Sequence, residues 1–575
     1  MNENRNMILA IVLSALVLLG WTFLSDRLMP TPAPQAQTAD AGKPAAQPQQ
    51  QAAPTTQPVH KVRPVSQVLG ESARVRIETP SLMGSINLKG ARFDDLVLRR
   101  ERQAISKESP PVRLLSPVGT PGANFASFGW TGEGLQVPGP DTVWTASAPS
   151  LEPGRPVTLS WSNFTGQVFQ IVVSVDRDYL FSVRQRVENR GSGPVAVRPY
   201  GLVNRAEKSP DHSSRIPLIG ETTHFGPIGY LGGAANYSVG WDDLDGGQSK
   251  KLSSDGGWLG FTDKYWLTAL APVGSPQISA SFTGTPGGGY QADYAEPQHL
   301  VPAGGVAQTD TRLFAGAKEK GLLDRYEDAG IPKLSKSIDW GWFEWFMRPI
   351  FDLLTWLFHV TGNFGVAIIC LTIIVRLIMF PVAQKQFKSM AAMRKVQPKM
   401  KAIQQRFKDD KQRQQQEMLK LYQEEKINPA AGCLPILLQI PVFYALYKVL
   451  MVSVEMRHQP FILWIKDLSA PDPLTPVNLF GLLNFTPPGF LHLGVLPILL
   501  GITMWLQFKL NPQQMDPTQQ QIFSLMPWVM MFILAPFAVG LVLYWVTSNI
   551  LTILQQWWLY RKFGLHLSDT HPVET

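Results

Sequence analysis

The sequence predicts a polytopic α-helical membrane protein with six transmembrane helices, an antiparallel β-sandwich on the outer side and a helical hairpin on the cytoplasmic side. Three observations predict it. Long apolar runs fill about the first 24 and the last 240 of the 575 residues, while the middle has the composition of a soluble domain. That middle stretch shows short alternating runs broken by Gly and Pro clusters. A strongly basic segment, residues 385–426, sits between two apolar spans.

The formal net charge is +8, but the basic surplus lies beside the apolar spans. It therefore suits a membrane surface, and no direct readout of nucleic acid is expected. Cys370 and Cys433 both lie in apolar runs, far apart in sequence. They offer neither a disulfide framework nor a metal pair. No cofactor and no metal are expected.

Taken in order, residues 7–24 are uncharged and follow Arg5. They read as a cleavable signal or a retained anchor. The length and the following Ser25-Asp26-Arg27 favour an uncleaved helix with its N-terminus in the cytoplasm, within an anchor segment 1–29. Residues 30–64 hold eight prolines among Ala, Gln and Thr and read as an extended tether.

Residues 65–338 form the expected outer domain. The runs 75–79, 157–162, 168–175 and 179–188 carry strand signals, and 191–194 and 287–289 carry turn signals. Many short strands without intervening helices imply a sandwich, with helices at its C-terminal end; residues 313–329 look helical. G-x-S-x-G, H-E-x-x-H and P-loop patterns are absent, and His212 and His224 lack metal-ligand spacing.

Residues 339–360 are aromatic-rich but carry Glu344, Arg348, Asp352 and His359. They suit an amphipathic helix lying at the membrane interface. The second span, 361–384, contains Arg376 in the run LTIIVRLIMFP. Residues 385–430 are the basic hairpin, with Lys385, Lys388, Arg394, Lys395, Lys399 and Lys401 on its first arm. Met393, Val396, Met400, Ile403 and Phe407 there, spaced 3, 4, 3, 4, and Met418, Leu421 and Tyr422 on the second arm, suit a narrow apolar seam.

The third span is 431–454, with Lys448 snorkelling near its outer end. An outer loop, 455–492, precedes the fourth span, 493–510, and a cytoplasmic loop, 511–521. Residues 522–560 are uncharged for 39 positions, too long for one span, so Pro536 and Gly540 divide them into 522–537 and 538–560. A short tail, 561–575, closes the chain. Both termini fall in the cytoplasm.

A charge in the middle of a span costs about 2.5–3.5 kcal/mol on insertion scales. Arg376 therefore snorkels, pairs with a buried acid, or faces a wet cavity. The five C-terminal spans contain no Asp or Glu in their apolar cores, which removes the obvious partner and argues against a proton or cation relay. Thr372 lies one turn before Arg376. Trp545, Asn549, Thr552 and Gln556 form a stripe spaced 4, 3, 4, and Gln439 adds one amide. These groups either glue helices together or line a cavity with Arg376.

The runs DWGWFEWFMRPIF, GNFGVAIICLTIIVRLIMFP, LYQEEKINPAAGCLPILLQIPVFYALY and GLVLYWVTSNILTILQQ together resemble the YidC/Oxa/Alb family of membrane protein insertases, in the Gram-negative form with a large periplasmic domain. The resemblance covers residues 339–563 almost continuously. It implies a membrane insertase and chaperone of the bacterial inner membrane, acting alone or with the Sec translocon, and not an enzyme. Five core spans would enclose a hydrated, positively charged groove. The groove arginine falls on Arg376, with Thr372, Gln439 and Trp545 beside it, and the stripe spacing adds Asn549 and Gln556 to the expected groove. An apolar slide falls on Ile440, Pro441, Phe443, Phe532 and Ile533. The implied partners are nascent membrane proteins, the Sec translocon with its accessory subunits, the ribosome and the lipid bilayer. For ribosomes the tail offers only Arg561, Lys562 and two histidines. The competing expectation is a solute channel or transporter with a sugar-binding-like outer domain.

Overall fold

A computed structural model describes residues 62–106, 108–209, 223–341, 343–408, 410–425, 434–480, 482–483, 493–510 and 517–562, and within these the side chains at 387–395, 397, 401, 411, 434–437 and 517–523 are left aside. The expected anchor at 1–29 lies outside the described residues, as do His212, Cys433, nearly all of the tether and most of the tail.

Two sheets stack to form the β-sandwich. Among the described residues one has eleven strands and the other nine. Pairing is antiparallel except between Arg74–Glu78 and Ser150–Leu151. The alternation in Gln167–Val175 turns Phe169, Ile171, Val173 and Val175 inward. Phe93 of one sheet meets Phe181 of the other with ring centroids 5.6 Å apart, and Trp130 meets Phe169 at 5.2 Å. Gln185 Nε2 donates across the layers to the Gly129 carbonyl at 2.7 Å. Each fully buried ring contributes about 1.5–3 kcal/mol of apolar transfer.

The helical reading of residues 313–329 needs correction. Val306–Ala317 is a strand, paired with Leu180–Asn189 on one side and Trp266–Pro272 on the other. Leu313 and Phe314 are apolar enough for a buried helix or a buried strand, and two flanking partners decide for the strand. Helix starts only at Lys320–Asp328.

The helices in chain order are α1 (Val65–Leu69), α2 (Lys320–Asp328), α3 (Glu344–Thr361), α4 (Phe364–Lys395), α5 (Gln397–Arg406), α6 (Lys411–Glu424), α7 (Leu434–Val452), α8 (Val495–Leu510), α9 (Pro517–Leu534) and α10 (Val539–Lys562). In α3, Met347, Phe351, Leu354 and Leu357 are buried, while Trp345 and Trp356 are exposed. Its amphipathic character thus turns one face onto α4 and α7. The helix ends on Gly362 at φ 69, a left-handed cap that favours glycine. Phe358 then stacks on Phe364 across the turn at 3.9 Å.

Phe364–Gln386 within α4 is long and apolar enough to cross a membrane, and Leu438–Val452, Val495–Leu510 and Ser524–Leu534 are shorter apolar helices. The long helix does not stop at the basic segment but runs through Pro381 to Lys395. Helices α5 and α6 then fold against each other over Val396, Met400 and Leu421, with Ile403, Met418 and Tyr422 beside them. Asp410 accepts the Arg413 backbone N–H at 3.0 Å and caps α6.

The sandwich and the helices meet in a polar joint. Glu455 Oε1 accepts the Lys320 backbone N–H at 2.8 Å, tying the segment after α7 to the first turn of α2. Arg457 donates to the Arg102 and Gln103 carbonyls at 2.8 and 3.2 Å and lies over the rings of Tyr265 and Trp266. Lys448 does not snorkel: it is 1 % exposed, and its Nζ donates to the Asp339 carbonyl at 2.9 Å. His224 joins the same corner, its backbone N–H donating to Asp339 Oδ2 at 3.0 Å.

Candidate functional site

Arg376 stands on α4 at the seam with α10. Its Nε donates to Ser548 Oγ at 3.0 Å, and a second guanidinium nitrogen donates to the same oxygen. Among the described residues no carboxylate pairs with it. The guanidinium borders a cavity of about 220 Å³, walled by Ile373, Leu377, Phe380, Leu551 and Trp558. Gln555 lines the same cavity, and its Nε2 is buried without a partner among the described residues. The positive charge is thus held by one neutral hydroxyl in apolar walls. Such a group attracts any acceptor that enters, whether a carboxylate or a free backbone carbonyl.

The other groove candidates separate. Thr372 is 1 % exposed and spends its hydroxyl on the Ile368 carbonyl one turn back, at 2.7 Å. Gln439 Nε2 donates to the Tyr544 hydroxyl, which ties α7 to α10. Trp545 packs edge-on against Phe443 at 4.8 Å. Asn549 is buried and donates to Thr503 Oγ1 on α8 at 3.1 Å. Thr552 donates to the Ser548 carbonyl at 2.7 Å. Gln556 lines a different cavity, between α8 and α10. The stripe 545, 549, 552, 556 therefore serves several neighbours and does not gather around Arg376.

Two polar residues of this seam were not singled out in the sequence. Ser548 and Tyr544 belong to a second stripe, 544, 548, 551, 555, with the same 4, 3, 4 spacing displaced by one residue. The displacement turns it about 100° around the helix, toward α4 and α7.

The slide candidates sit on apolar outer faces. Ile440 is 56 % exposed on α7, with Pro441 and Phe443 partly buried beside it. Phe532 and Ile533 are 55 % and 43 % exposed on α9. Of the basic candidates, Lys385 is exposed at the far end of α4, and Lys399 on α5 pairs with Glu425 at 2.6 Å. The side chains of Lys388, Arg394, Lys395 and Lys401 lie outside those described. No group of three His, Cys, Asp or Glu among the described residues could hold a metal ion.

Comparison with known proteins supplies what geometry alone cannot. A family model described as 60Kd inner membrane protein matches residues 356–565, and one described as YidC periplasmic domain matches residues 74–353. The Zymomonas mobilis protein named membrane protein insertase YidC is 48% identical over 566 residues, 98% of this chain and 96% of that one. The Rhizobium meliloti protein of the same name is 44% identical over 98% of this chain and 97% of its own. A solved structure titled as an active YidC insertase with its first transmembrane domain resolved aligns with a TM-score of 0.37 at 18% identity, covering 88% of this chain and 95% of that one.

Proposed function

Because the chain belongs to the YidC family of membrane protein insertases, we propose a route by which its own residues carry a client into the bilayer. The chain is a membrane protein insertase of the inner membrane, with a β-sandwich domain that matches the family's periplasmic one. The relatives' shared name over nearly the whole length favours insertion over solute transport.

In this reading six helices cross the bilayer, the sandwich lies outside, and the α5–α6 pair lies in the cytoplasm with both termini. A nascent membrane protein meets the basic arm first. Its polar segment then enters beside Arg376, where the guanidinium, the Ser548 hydroxyl and the Gln439–Tyr544 pair replace part of its water. That lowers the cost of bringing polar backbone into hydrocarbon. Its apolar segment leaves along Ile440, Pro441, Phe443, Phe532 and Ile533 into lipid. Burial of apolar surface, about 25 cal/mol per Å², drives the last step. No covalent bond changes, so the proposed activity is not enzymatic. The Sec translocon and the ribosome are proposed partners of this path.

The observation that carries the reading is the charge of Arg376, held in apolar walls by a neutral hydroxyl. Site-specific photocrosslinking tests it. A stalled nascent membrane protein should form adducts at Ser548, Phe443 and Phe532, and not at Trp345 on the exposed face of α3. Absence of adducts at all three positions, with insertion intact, overturns the route.

A further inference from the structure

The ends of α8 and α10 hold a second cavity that the proposed client route leaves unused. It has a volume of about 260 Å³ and is lined by Leu510, Ile553, Leu554, Gln556, Trp557 and Tyr560. The Tyr560 hydroxyl donates to the Leu510 carbonyl at 3.1 Å, which pins the two helix ends together and fixes the shape. Leu554 and Trp557 are 55 % and 43 % exposed, so one side faces the surroundings of the bundle. Three cations stand at this end. Lys509 lies over Trp505 at 5.1 Å, Arg561 over Trp557 at 4.2 Å and Lys562 over Trp558 at 4.7 Å. Among the described residues none of the three pairs with a carboxylate.

The third observation lies deeper. Gln556 is five residues before Arg561, about 7 Å along the helix. Its Oε1 is buried and has no donor among the described residues. Rotation of the amide about its last torsion brings Nε2 to the same place, where it can donate. Cations at the two helix ends next to the cavity, an amide one to two turns below Arg561 and an apolar slot beneath match, in order, the phosphate, the ester carbonyls and the acyl chain of a phospholipid.

We propose that this cavity is a binding site for an anionic phospholipid of the cytoplasmic leaflet. Lys509 and Arg561 bind the phosphate, Gln556 donates to an ester carbonyl, and one acyl chain lies against Ile553, Leu554 and Trp557. Charge selects the lipid and the slot holds it in register. Lys562 sits over a different ring and serves as an internal control. The inference rests on the membrane placement proposed above.

The test is native mass spectrometry of the delipidated full-length protein, titrated with phosphatidylglycerol or phosphatidylethanolamine of identical chains. The wild type should prefer phosphatidylglycerol by about tenfold. The double variant K509Q/R561Q should bring the ratio close to one, Ile553→Trp should weaken both lipids by filling the slot, and Lys562→Gln should change little. A wild-type ratio near one overturns the proposal, as does a loss in Lys562→Gln equal to that of Arg561→Gln, which would mark a general surface attraction. A photoreactive residue at Leu554 should capture lipid; capture of a client or of the chain itself overturns it. Insertion of a client into vesicles of both lipids is measured in parallel. Intact insertion without lipid preference sinks this site alone, whereas lipid preference without insertion sinks the client route alone.

Discussion

Ser548 occupies the place an acid would take against Arg376: its Oγ accepts the guanidinium N–H at 3.0 Å across the α4–α10 seam. A serine orients the guanidinium without cancelling its charge. Replacement by Asp supplies the missing counter-charge. Ser548→Asp should therefore impair insertion of clients with acidic translocated segments about as strongly as Arg376→Ala, on the order of tenfold. Arg376→Lys should retain more activity, and Ser548→Ala most of it. Protease protection of the client in proteoliposomes measures all four, and a Ser548→Asp protein with full activity on acidic clients would show that the charge is not used.

The joint between sandwich and helices depends on Arg457, whose side chain is 12% exposed. Arg457→Ala leaves the Arg102 and Gln103 carbonyls without their donor and uncovers two aromatic faces. The expected cost is about 2–3 kcal/mol, read as a lower thermal midpoint and faster limited proteolysis between the two regions. An unchanged cleavage pattern would mean that the joint does not depend on this residue.

The same joint makes a pH prediction. Burial raises Glu455 above the ordinary carboxylate value, and it raises Glu101 and Glu319 nearby. Arg457 opposes the shift at Glu101, and the Lys320 backbone N–H and Ser453 oppose it at Glu455. A carboxyl with a raised folded pKa binds its proton more tightly in the folded state. Its contribution is fully present below the unfolded value of 4.5 and is lost as pH rises through the folded one. The joint should therefore tighten as pH falls from neutral toward about 5. Glu455→Gln keeps an acceptor for the Lys320 N–H and removes the titration, so its thermal midpoint should vary less with pH. A steeper dependence in the variant refutes the assignment.

Gly365, in the first turn of α4, faces Phe461 so closely that a β-carbon would lie 2.0 Å from the ring's Cδ2. Gly365→Ala should cost about 1–3 kcal/mol despite alanine's better helix propensity. Shortening the ring in the double variant Gly365→Ala/Phe461→Ala should recover part of the loss. Additive losses in the pair, measured by thermal unfolding in detergent, would place the strain elsewhere.

How far the site was legible depended on the reach of each cue. Arg376 announced itself because charge within an apolar run is costly on any face of the helix. The four strand segments read from alternation or β-branched and aromatic runs were found where expected, since period-two burial is a local property. Ser548 and Tyr544 were not singled out because serine and tyrosine are ordinary in spans. Which of two adjacent stripes turns toward α4 is fixed by packing alone. Thr372 has the right spacing, but its hydroxyl had a closer acceptor in its own helix. Lys448 misled because its partner Asp339 is 109 residues earlier. At residues 313–317 the apolar pattern fits a strand as well as a helix, and the two neighbouring strands settle it.

Helix α4 has 32 residues and so spans about 48 Å, against about 30 Å of hydrocarbon. One continuous rod thus carries Arg376 in its first half and the first basic residues of the hairpin in its second. Pro381 lies between them and withholds the N–H that the Leu377 carbonyl would otherwise accept. The rod is a lever whose softest turn is one turn below the charge. On the route proposed above, the hairpin that meets a client and the seam between α4 and α10 that receives it are joined through this one turn.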